Sequence, residues 1–133
     1  YHEEDVVEGR VAYNRKTGAL SATVRMQGDI LAHETDAVVV VAVSDLTNGK
    51  CTRVKMSMGA TIADPSVPVA FLGDPARKRQ RLGSGSIEGD TLKMRVKAKL
   101  LAGQTPGCTF IYVISNDARQ SILDQTPVEN GFA

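Results

Sequence analysis

The sequence predicts an all-β domain in which two antiparallel sheets pack face to face as a β-sandwich of about seven to nine strands. The dominant pattern is a period-two alternation of apolar and polar residues, which recurs between turn residues and which a helix does not produce. The chain of 133 residues has the length of one domain of common size. We therefore expect a single sandwich domain spanning residues 1–133.

The first two strands are predicted at residues 7–13 and 19–26, on either side of a polar turn. Gly18 is suited to close that turn, because glycine readily adopts a positive φ. In the second strand the apolar side chains share the face that is expected to contact the core. Residues 30–36 lack clear alternation, and we expect them to connect the two sheets.

Residues 38–43 are continuously apolar and largely β-branched, which predicts a strand covered on both faces. The pair Asn48-Gly49 is the strongest hairpin signal in the chain and leads into a strand at residues 51–58. Cys51 is in register with the basic residues of that strand. A bulge or a strand end is therefore required if Cys51 is to form a disulfide toward the interior.

The segment between residues 59 and 90 has weaker periodicity. Its prolines limit strand pairing to a short run at residues 69–72. Residues 76–82 are the one stretch with helix-compatible character, although the stretch is short. Residues 83–86 have the sequence Gly-Ser-Gly-Ser, which predicts a flexible loop within the domain.

The clearest alternation lies at residues 91–100, where apolar side chains alternate with basic ones along one predicted strand. Residues 108–115 are nearly all apolar and predict a central strand. The chain from residue 116 onward has little periodicity, and we expect it to lie across the end of the sandwich or to fray.

The two cysteines, Cys51 and Cys108, favour an inter-sheet disulfide in an oxidising compartment, with a pair of buried thiols as the alternative. The chain begins at Tyr1 without a basic and apolar leader. A processed or trimmed start accounts for this, and an engineered boundary accounts for it equally well. The expected location is secreted, periplasmic or at the cell surface.

Sixteen basic and fifteen acidic residues give a net charge of +1, which is too balanced to indicate nucleic-acid binding from the total charge. The longest apolar run, residues 37–43, is far shorter than the roughly 20 residues needed to cross a bilayer. We therefore expect neither a nucleic-acid partner nor membrane insertion.

The turn spacing favours an immunoglobulin-like or jelly-roll sandwich. The layout resembles that of bacterial exported modules of the immunoglobulin-like and carbohydrate-binding group in four features. These are the Thr17-Gly18 turn, the apolar strand 37–43, the strand 90–100 after a glycine, and an apolar strand before Asn116-Asp117. The resemblance implies the architecture only, because the sugar sites of such modules typically contain Trp and this chain has none.

The first candidate ligand site is the most concentrated charge in the chain, the loop sequence Arg77-Lys78-Arg79-Gln80-Arg81. Its basic side chains Arg77, Lys78, Arg79 and Arg81 are suited to hold sulfate, phosphate or uronate groups. A solvated loop or a processing site accounts for the same residues, and the pattern alone favours that simpler interpretation.

The second candidate is the basic face of the strand at 91–100. Its members are Lys93, Arg95, Lys97 and Lys99, which would form one stripe with Arg53 and Lys55 if the two strands were neighbours. The alternative, which the pattern favours, is that these side chains protect an exposed strand edge from pairing with another chain.

Metal-capable side chains occur in two groups, neither of which has the spacing of a recognised metal site. These groups are His2, Glu3, Glu4 and Asp5, and then His33, Glu34 and Asp36. Several turn residues are expected to bond their own backbone instead, namely Asp45, Asn48, Asp64 and Asp74. We expect no metal site and no cofactor.

Catalytic motifs are not evident. The chain has two histidines, both in N-terminal loop-like segments. Ser84 and Ser86 lack the strand-to-helix elbow that activates a serine nucleophile, so no nucleophile has an obvious base.

The sequence therefore predicts a noncatalytic exported binding or adhesion module. Its expected ligand is an anionic glycan or an acidic protein surface, and its expected partner is a polysaccharide or protein at the cell surface. The alternative is a structural or assembly subunit of a surface layer, coat or pilus-like structure. A hydrolase or another enzyme is the third possibility.

Overall fold

The computed structural model describes residues 6–30, 37–73, 78–80, 83–105, 107–115, 122–127 and 129–132. They form two sheets packed face to face, which confirms the predicted β-sandwich. Nine of the described strands precede residue 116 and two follow it. The strands are β1 (Val6–Asn14), β2 (Ala19–Met26), β3 (Ala37–Thr47), β4 (Lys50–Thr61), β5 (Val69–Leu72), β6 (Lys78–Gln80), β7 (Gly83–Glu88), β8 (Thr91–Lys97), β9 (Cys108–Ser115), β10 (Ile122–Pro127) and β11 (Glu129–Phe132).

The first sheet has five strands in the order β11-β1-β2-β8-β7. Its hairpin β1–β2 forms where the sequence predicts it. The Asn14 side-chain oxygen accepts hydrogen bonds from the backbone N–H groups of Lys16 and Thr17 at 3.0 and 3.3 Å. Gly18 then closes the turn with a φ of 73°.

The second sheet has six strands in the order β10-β9-β3-β4-β5-β6. Its central hairpin β3–β4 turns through Asn48 and Gly49, whose φ values of 52° and 75° are the pair of positive angles that a two-residue hairpin turn requires. The hairpin predicted from this Asn-Gly pair is confirmed. The strand β9 lies on the other side of β3, which places β3 inside the sheet.

The core lies between the two sheets and consists almost entirely of aliphatic and methionine side chains. Alternate positions of each interior strand supply it, as the period-two pattern predicts. The β2 and β8 contributions are Leu20, Ala22, Val24, Met26, Leu92, Met94 and Val96, and those of β3, β4 and β9 are Val39, Val41, Val43, Met56, Met58, Ile111 and Val113.

The predicted run 38–43 of strand β3 is covered on both faces only in its second half, where Val41, Ala42 and Val43 are all buried, so the prediction from its continuous apolar sequence holds for part of the strand. Val39 and Val41 face the core and are fully buried, whereas Val38 and Val40 lie on the outer side and remain partly exposed. Val38 and Val40 line a hollow on the outer face of the sheet.

Two local predictions in the loop-rich part of the chain were wrong. Residues 78–80 are not helical but form β6, which pairs antiparallel with the edge of β5. Residues 83–86 are not a flexible loop but belong to β7, which pairs with β8. A Cβ atom on Gly85 would lie 2.1 Å from the Pro65 carbonyl oxygen. Close backbone approach accounts for this glycine better than flexibility does.

The strand β8 ends at Lys97, earlier than the sequence pattern predicts, because its partner β2 begins at Ala19 opposite Lys97. The chain then forms a 3-10 helix at Lys99–Leu101. The Leu101 side chain is buried in the core, and its carbonyl oxygen accepts a hydrogen bond from the buried Tyr13 hydroxyl. That hydroxyl also accepts a hydrogen bond from the Gln104 N–H at 3.1 Å.

The C-terminal segment forms two strands, although its sequence has little periodicity. The strand β10 pairs antiparallel with β9 in the six-stranded sheet. The strand β11 pairs parallel with β1 in the five-stranded sheet. This segment therefore passes from one sheet to the other along one side of the sandwich, and the described part of it does not lie across the sandwich end.

A disulfide joins Cys51 to Cys108, with their Cα atoms 5.8 Å apart, which confirms the predicted pairing. The prediction that it links the two sheets was wrong, because Cys51 on β4 and Cys108 on β9 belong to the same sheet and flank β3. The predicted irregularity is present, since the β3–β4 register shifts on both sides of Ser44. Gly107 allows the backbone that precedes β9 to lie close to β3, because a Cβ atom at this position would lie 2.5 Å from the Leu46 nitrogen.

Thr109 has a buried hydroxyl for which the described residues offer no hydrogen-bond partner. We expect Thr109→Val to raise the free energy of unfolding by about 1 kcal/mol, because valine has nearly the same shape and removes an unsatisfied polar group. Thr61→Val is the matched comparison. The Thr61 hydroxyl donates to the Asp64 carbonyl oxygen at 3.0 Å, so this variant should be less stable than the parent protein. Urea denaturation measures both changes, and a destabilised Thr109→Val variant would contradict the expectation.

Candidate functional site

A row of three basic side chains runs along β8 on the outer face of the five-stranded sheet. Lys93, Arg95 and Lys97 are exposed, and the residues between them are buried in the core. Alternate residues of a strand lie about 6.5 to 7 Å apart, so the three positions span about 13 Å. We call these three residues the cationic row.

The cationic row does not lie on a sheet edge. The strand β8 pairs with β2 on one side and with β7 on the other. Protection of an exposed edge, the interpretation that the sequence favoured, is therefore wrong for β8. The charges need another explanation, since the backbone groups of this strand already have partners.

Small hydroxyl side chains flank the cationic row on both neighbouring strands. Lys93 lies between Thr23 of β2 and Ser86 of β7. Arg95 lies in the same way between Ser21 and Ser84. Because serine and threonine are much shorter than lysine and arginine, the surface around Lys93 and Arg95 contains a hollow of about 340 Å³.

A second hollow continues along the same face. It has a volume of about 580 Å³, includes Arg95 and Lys97, and reaches the β1–β2 turn at Asn14 and Thr17. Arg95 lines both hollows. The two hollows lie one after the other along the cationic row from Lys93 to Lys97.

The ion pairs on this face involve other basic residues. Glu8 contacts Arg25 at 3.3 Å and Arg10 at 3.9 Å. Within the described part of the chain, no carboxylate lies within ion-pair distance of the cationic row. The row therefore presents positive charge and hydrogen-bond donors that are available to an external anion.

The predicted extension of this stripe to other basic residues is not observed. Lys99 is exposed but lies in the 3-10 helix beyond the end of β8. Arg53 and Lys55 are on β4, in the opposite sheet. Lys55 contacts the Asp45 carboxylate at 2.7 Å and donates a hydrogen bond to the Thr105 carbonyl oxygen at 2.8 Å, so its charge is used within the protein.

The predicted loop site at residues 77–81 lies only partly within the described chain. Arg77 and Arg81 are outside the described residues, whereas Lys78 and Arg79 belong to β6 at one edge of the six-stranded sheet. Only residues 81 and 82 separate β6 from β7, the corresponding edge strand of the five-stranded sheet. The backbone of β6 therefore lies on the same side of the sandwich as β7 and its neighbour β8.

The predicted metal-capable groups at residues 2–5 and 33–36 lie outside the described residues, as does Asp74. Among the residues that are described, no three His, Cys, Asp or Glu side chains are close enough to hold a metal ion together. Asp64 behaves as predicted for a turn residue, because its carboxylate accepts hydrogen bonds from the Ser66 hydroxyl at 2.6 Å and the Ser66 N–H at 3.4 Å. Ser84 and Ser86 are exposed on β7 beside the cationic row.

The six-stranded sheet has a different kind of hollow on its outer face, which the sequence pattern does not indicate. Its volume is about 520 Å³. The floor is formed by the small residues of β4, and the walls by larger apolar residues of β3 and β5. We call this hollow the apolar trough, and its principal residues are Val38, Val40, Ser57, Gly59, Val69 and Phe71.

Comparison of the sequence with models of protein families and with curated proteins gives no match. No helix in the described residues is long and apolar enough to cross a bilayer.

Proposed function

We propose that this protein is a noncatalytic, exported binding module that recognises an anionic polysaccharide through the cationic row on its five-stranded sheet. One observation carries the proposal: Lys93, Arg95 and Lys97 are exposed on an interior strand, and the described residues offer them no carboxylate partner. Positive charge that serves neither ion pairing nor edge protection is available to a ligand.

The shape of the face favours an elongated ligand. The two hollows follow β8, and the cations of the row recur about every 6.5 to 7 Å, which suits a chain with repeated sulfate or carboxylate groups. The adjacent hydroxyls of Ser21, Thr23, Ser84 and Ser86 supply neutral donors and acceptors for sugar hydroxyl groups. An acidic protein surface could pair with the three cations, but it would not present the many hydroxyl groups that these serine and threonine side chains can hydrogen-bond.

Export is supported by the position of the disulfide. Cys51 is exposed to solvent and Cys108 is partly exposed, so the bond is accessible to cellular reductants. Disulfides in ordinary structural roles persist in oxidising compartments and are rare where glutathione and thioredoxin keep thiols reduced. A secreted, periplasmic or cell-surface location accounts for a stable bond at this site.

The test measures binding of heparin, a sulfated polysaccharide, by isothermal titration calorimetry at several salt concentrations. We expect Lys93→Gln/Arg95→Gln to weaken binding roughly tenfold, since each exposed charge contact contributes up to about 1 kcal/mol. The dependence of affinity on salt should also become weaker, because fewer counterions are released from the polyanion.

The matched control is Lys50→Gln/Arg53→Gln, which removes one lysine and one arginine from exposed positions on the opposite sheet. It should change the heparin affinity less than twofold. Neutral dextran should not bind the parent protein. Equal losses in both variants would show that net charge alone drives binding, and this result would overturn the proposal. Preferential binding to an acidic protein or to DNA over heparin would also overturn it.

A further inference from the structure

The apolar trough is built by the alternation of residue size across three neighbouring strands. Gly59 of β4 pairs with Val40 of β3 on one side and with Val69 of β5 on the other. Ser57, two residues away on β4, pairs with Phe71. Gly59, which has no side chain, lies between two valines, and the small Ser57 lies between Phe71 and Ala42, so an open channel remains parallel to β4.

Gly59 keeps the floor of the trough low, and its backbone does not require glycine. A Cβ atom at this position would lie 3.5 Å from Val38 Cγ1 and 3.6 Å from Val40 Cγ2, which are ordinary van der Waals distances. Gly59 is not among the residues with positive φ. A larger side chain is therefore compatible with the strand, and it would occupy space that the trough now leaves open.

The trough is lined mainly by apolar residues, and its polar lining residues are Ser57, Thr61 and one carboxylate, that of Asp64. Asp64 follows β4, and its backbone N–H donates a hydrogen bond to the Thr61 hydroxyl oxygen at 3.3 Å. The hydrogen bonds from the Ser66 hydroxyl and backbone N–H hold the pKa of Asp64 below its usual value, so the group is negatively charged at neutral pH. Nearby Val67 is 44% exposed, which adds to the apolar surface beside this charge.

We propose that the apolar trough is a second binding site, for a small amphiphilic cation with an unbranched aliphatic body and a terminal ammonium group. The aliphatic body lies over Gly59 between the valine walls, and the ammonium group pairs with the Asp64 carboxylate. The volume of about 520 Å³ is within the range of small-molecule sites. Charge complementarity selects a cation over an anion of the same length.

This site is independent of the cationic row, which lies on the other sheet. The two sites also have opposite charge preferences, so one can fail a binding test while the other passes it. A cation that binds in the apolar trough is not expected to compete with heparin.

The experiment titrates ¹⁵N-labelled protein with hexylammonium, 1-hexanol and hexanoate, and follows the amide chemical shifts of β3, β4 and β5. We expect the affinity to fall in that order, with hexylammonium at least threefold tighter than 1-hexanol. Shift changes should centre on Gly59, Val69 and Phe71. Equal affinity for hexanoate and hexylammonium, or shift changes confined to other regions, would overturn the proposal.

Two variants test the separate parts of the site. Gly59→Val should abolish binding of all three compounds, because the new side chain fills the trough. Asp64→Asn should lower the affinity for hexylammonium to that of 1-hexanol and leave 1-hexanol unchanged. Asp29→Asn removes an exposed carboxylate that does not line the trough, so it should have no effect and serves as the matched control. If Gly59→Val fails to fold, the Asp64→Asn result still decides the charge preference.

Occupation of the trough by a second copy of the protein is a distinct outcome of the same experiments. Light scattering of the parent protein and of Gly59→Val at high concentration measures it. A dimer that Gly59→Val dissociates would show that the trough is a protein interface, and this result would overturn the proposed ligand.

Discussion

The double variant Cys51→Ala/Cys108→Ala is expected to lower the free energy of unfolding by about 4 kcal/mol. The disulfide joins residues 57 positions apart. In the unfolded chain it therefore closes a long loop, and removal of the bond restores the corresponding conformational entropy. Because Cys51 is exposed and Cys108 is only partly buried, little packing is lost with the sulfur atoms. For a domain of this size the midpoint of thermal unfolding should fall by about 15 °C.

Urea unfolding of the oxidised parent protein and the double variant measures this effect. The parent protein with its disulfide reduced and alkylated is the internal control, and it should have nearly the same stability as the double variant. A loss below about 1 kcal/mol would contradict this expectation. It would show that residual structure restricts the unfolded chain between residues 51 and 108 even without the disulfide. Intact mass with and without reductant establishes that the bond is formed before each measurement.

Gly18→Ala is expected to lower the free energy of unfolding by about 3 kcal/mol or more. Gly18 has a φ of 73°, a conformation that costs alanine about 1 kcal/mol. A Cβ atom there would also lie 2.1 Å from the Ala98 carbonyl oxygen and 3.0 Å from the Ala102 nitrogen. The backbone must separate to relieve these contacts, which disrupts the hydrogen bond from the Ala98 N–H to the Gly18 carbonyl oxygen.

Gly28→Ala is the matched control for this prediction. Gly28 has a φ of 86°, and a Cβ atom there would have no neighbour within 4 Å. Both substitutions place alanine at a positive φ, and only Gly18→Ala also brings a Cβ atom into steric overlap with the backbone of residues 98–102. We expect Gly28→Ala to cost about 1 kcal/mol, so the difference between the two midpoints in urea isolates the steric part. Equal midpoints would show that the 98–102 segment moves away at little cost.

The fold was predictable where the sequence alternation is strong and the turn residues are distinctive. The bounds predicted for β2, β5 and β9 agree with the structure. The Asn48-Gly49 hairpin was predictable because its positive φ values demand those residue types. In each of these cases the local sequence determines the local conformation.

The errors occur where a distant segment determines the conformation. The strand β7 has a sequence typical of a loop, yet it forms because β8 supplies a complete partner strand and Pro65 lies against Gly85. The strands β10 and β11 similarly depend on the edges of β9 and β1. A period-two pattern cannot reveal a strand whose pairing, rather than its own hydrophobic face, stabilises it.

The candidate sites show the same division. The alternation in β8 identified Lys93, Arg95 and Lys97 and placed them on one exposed face. Their function could not be separated from edge protection without the strand order, since that distinction depends on β7 being the neighbour of β8. The apolar trough was missed because Gly59, Val40 and Val69 come from three strands, and the hollow exists only in their side-by-side register.

The parallel pairing of β1 with β11 has a consequence for the time course of folding. Arg10 lies opposite Glu129, so this contact joins strands from the two ends of the described chain. Closing so large a loop carries a high entropic cost, and folds rich in such distant contacts reach the native state slowly, in milliseconds to seconds. The outward backbone edge of β1 should therefore stay open until a late step, when β11 docks. During that interval a newly made chain is most vulnerable to pairing with another copy, and dilute conditions should favour its correct folding.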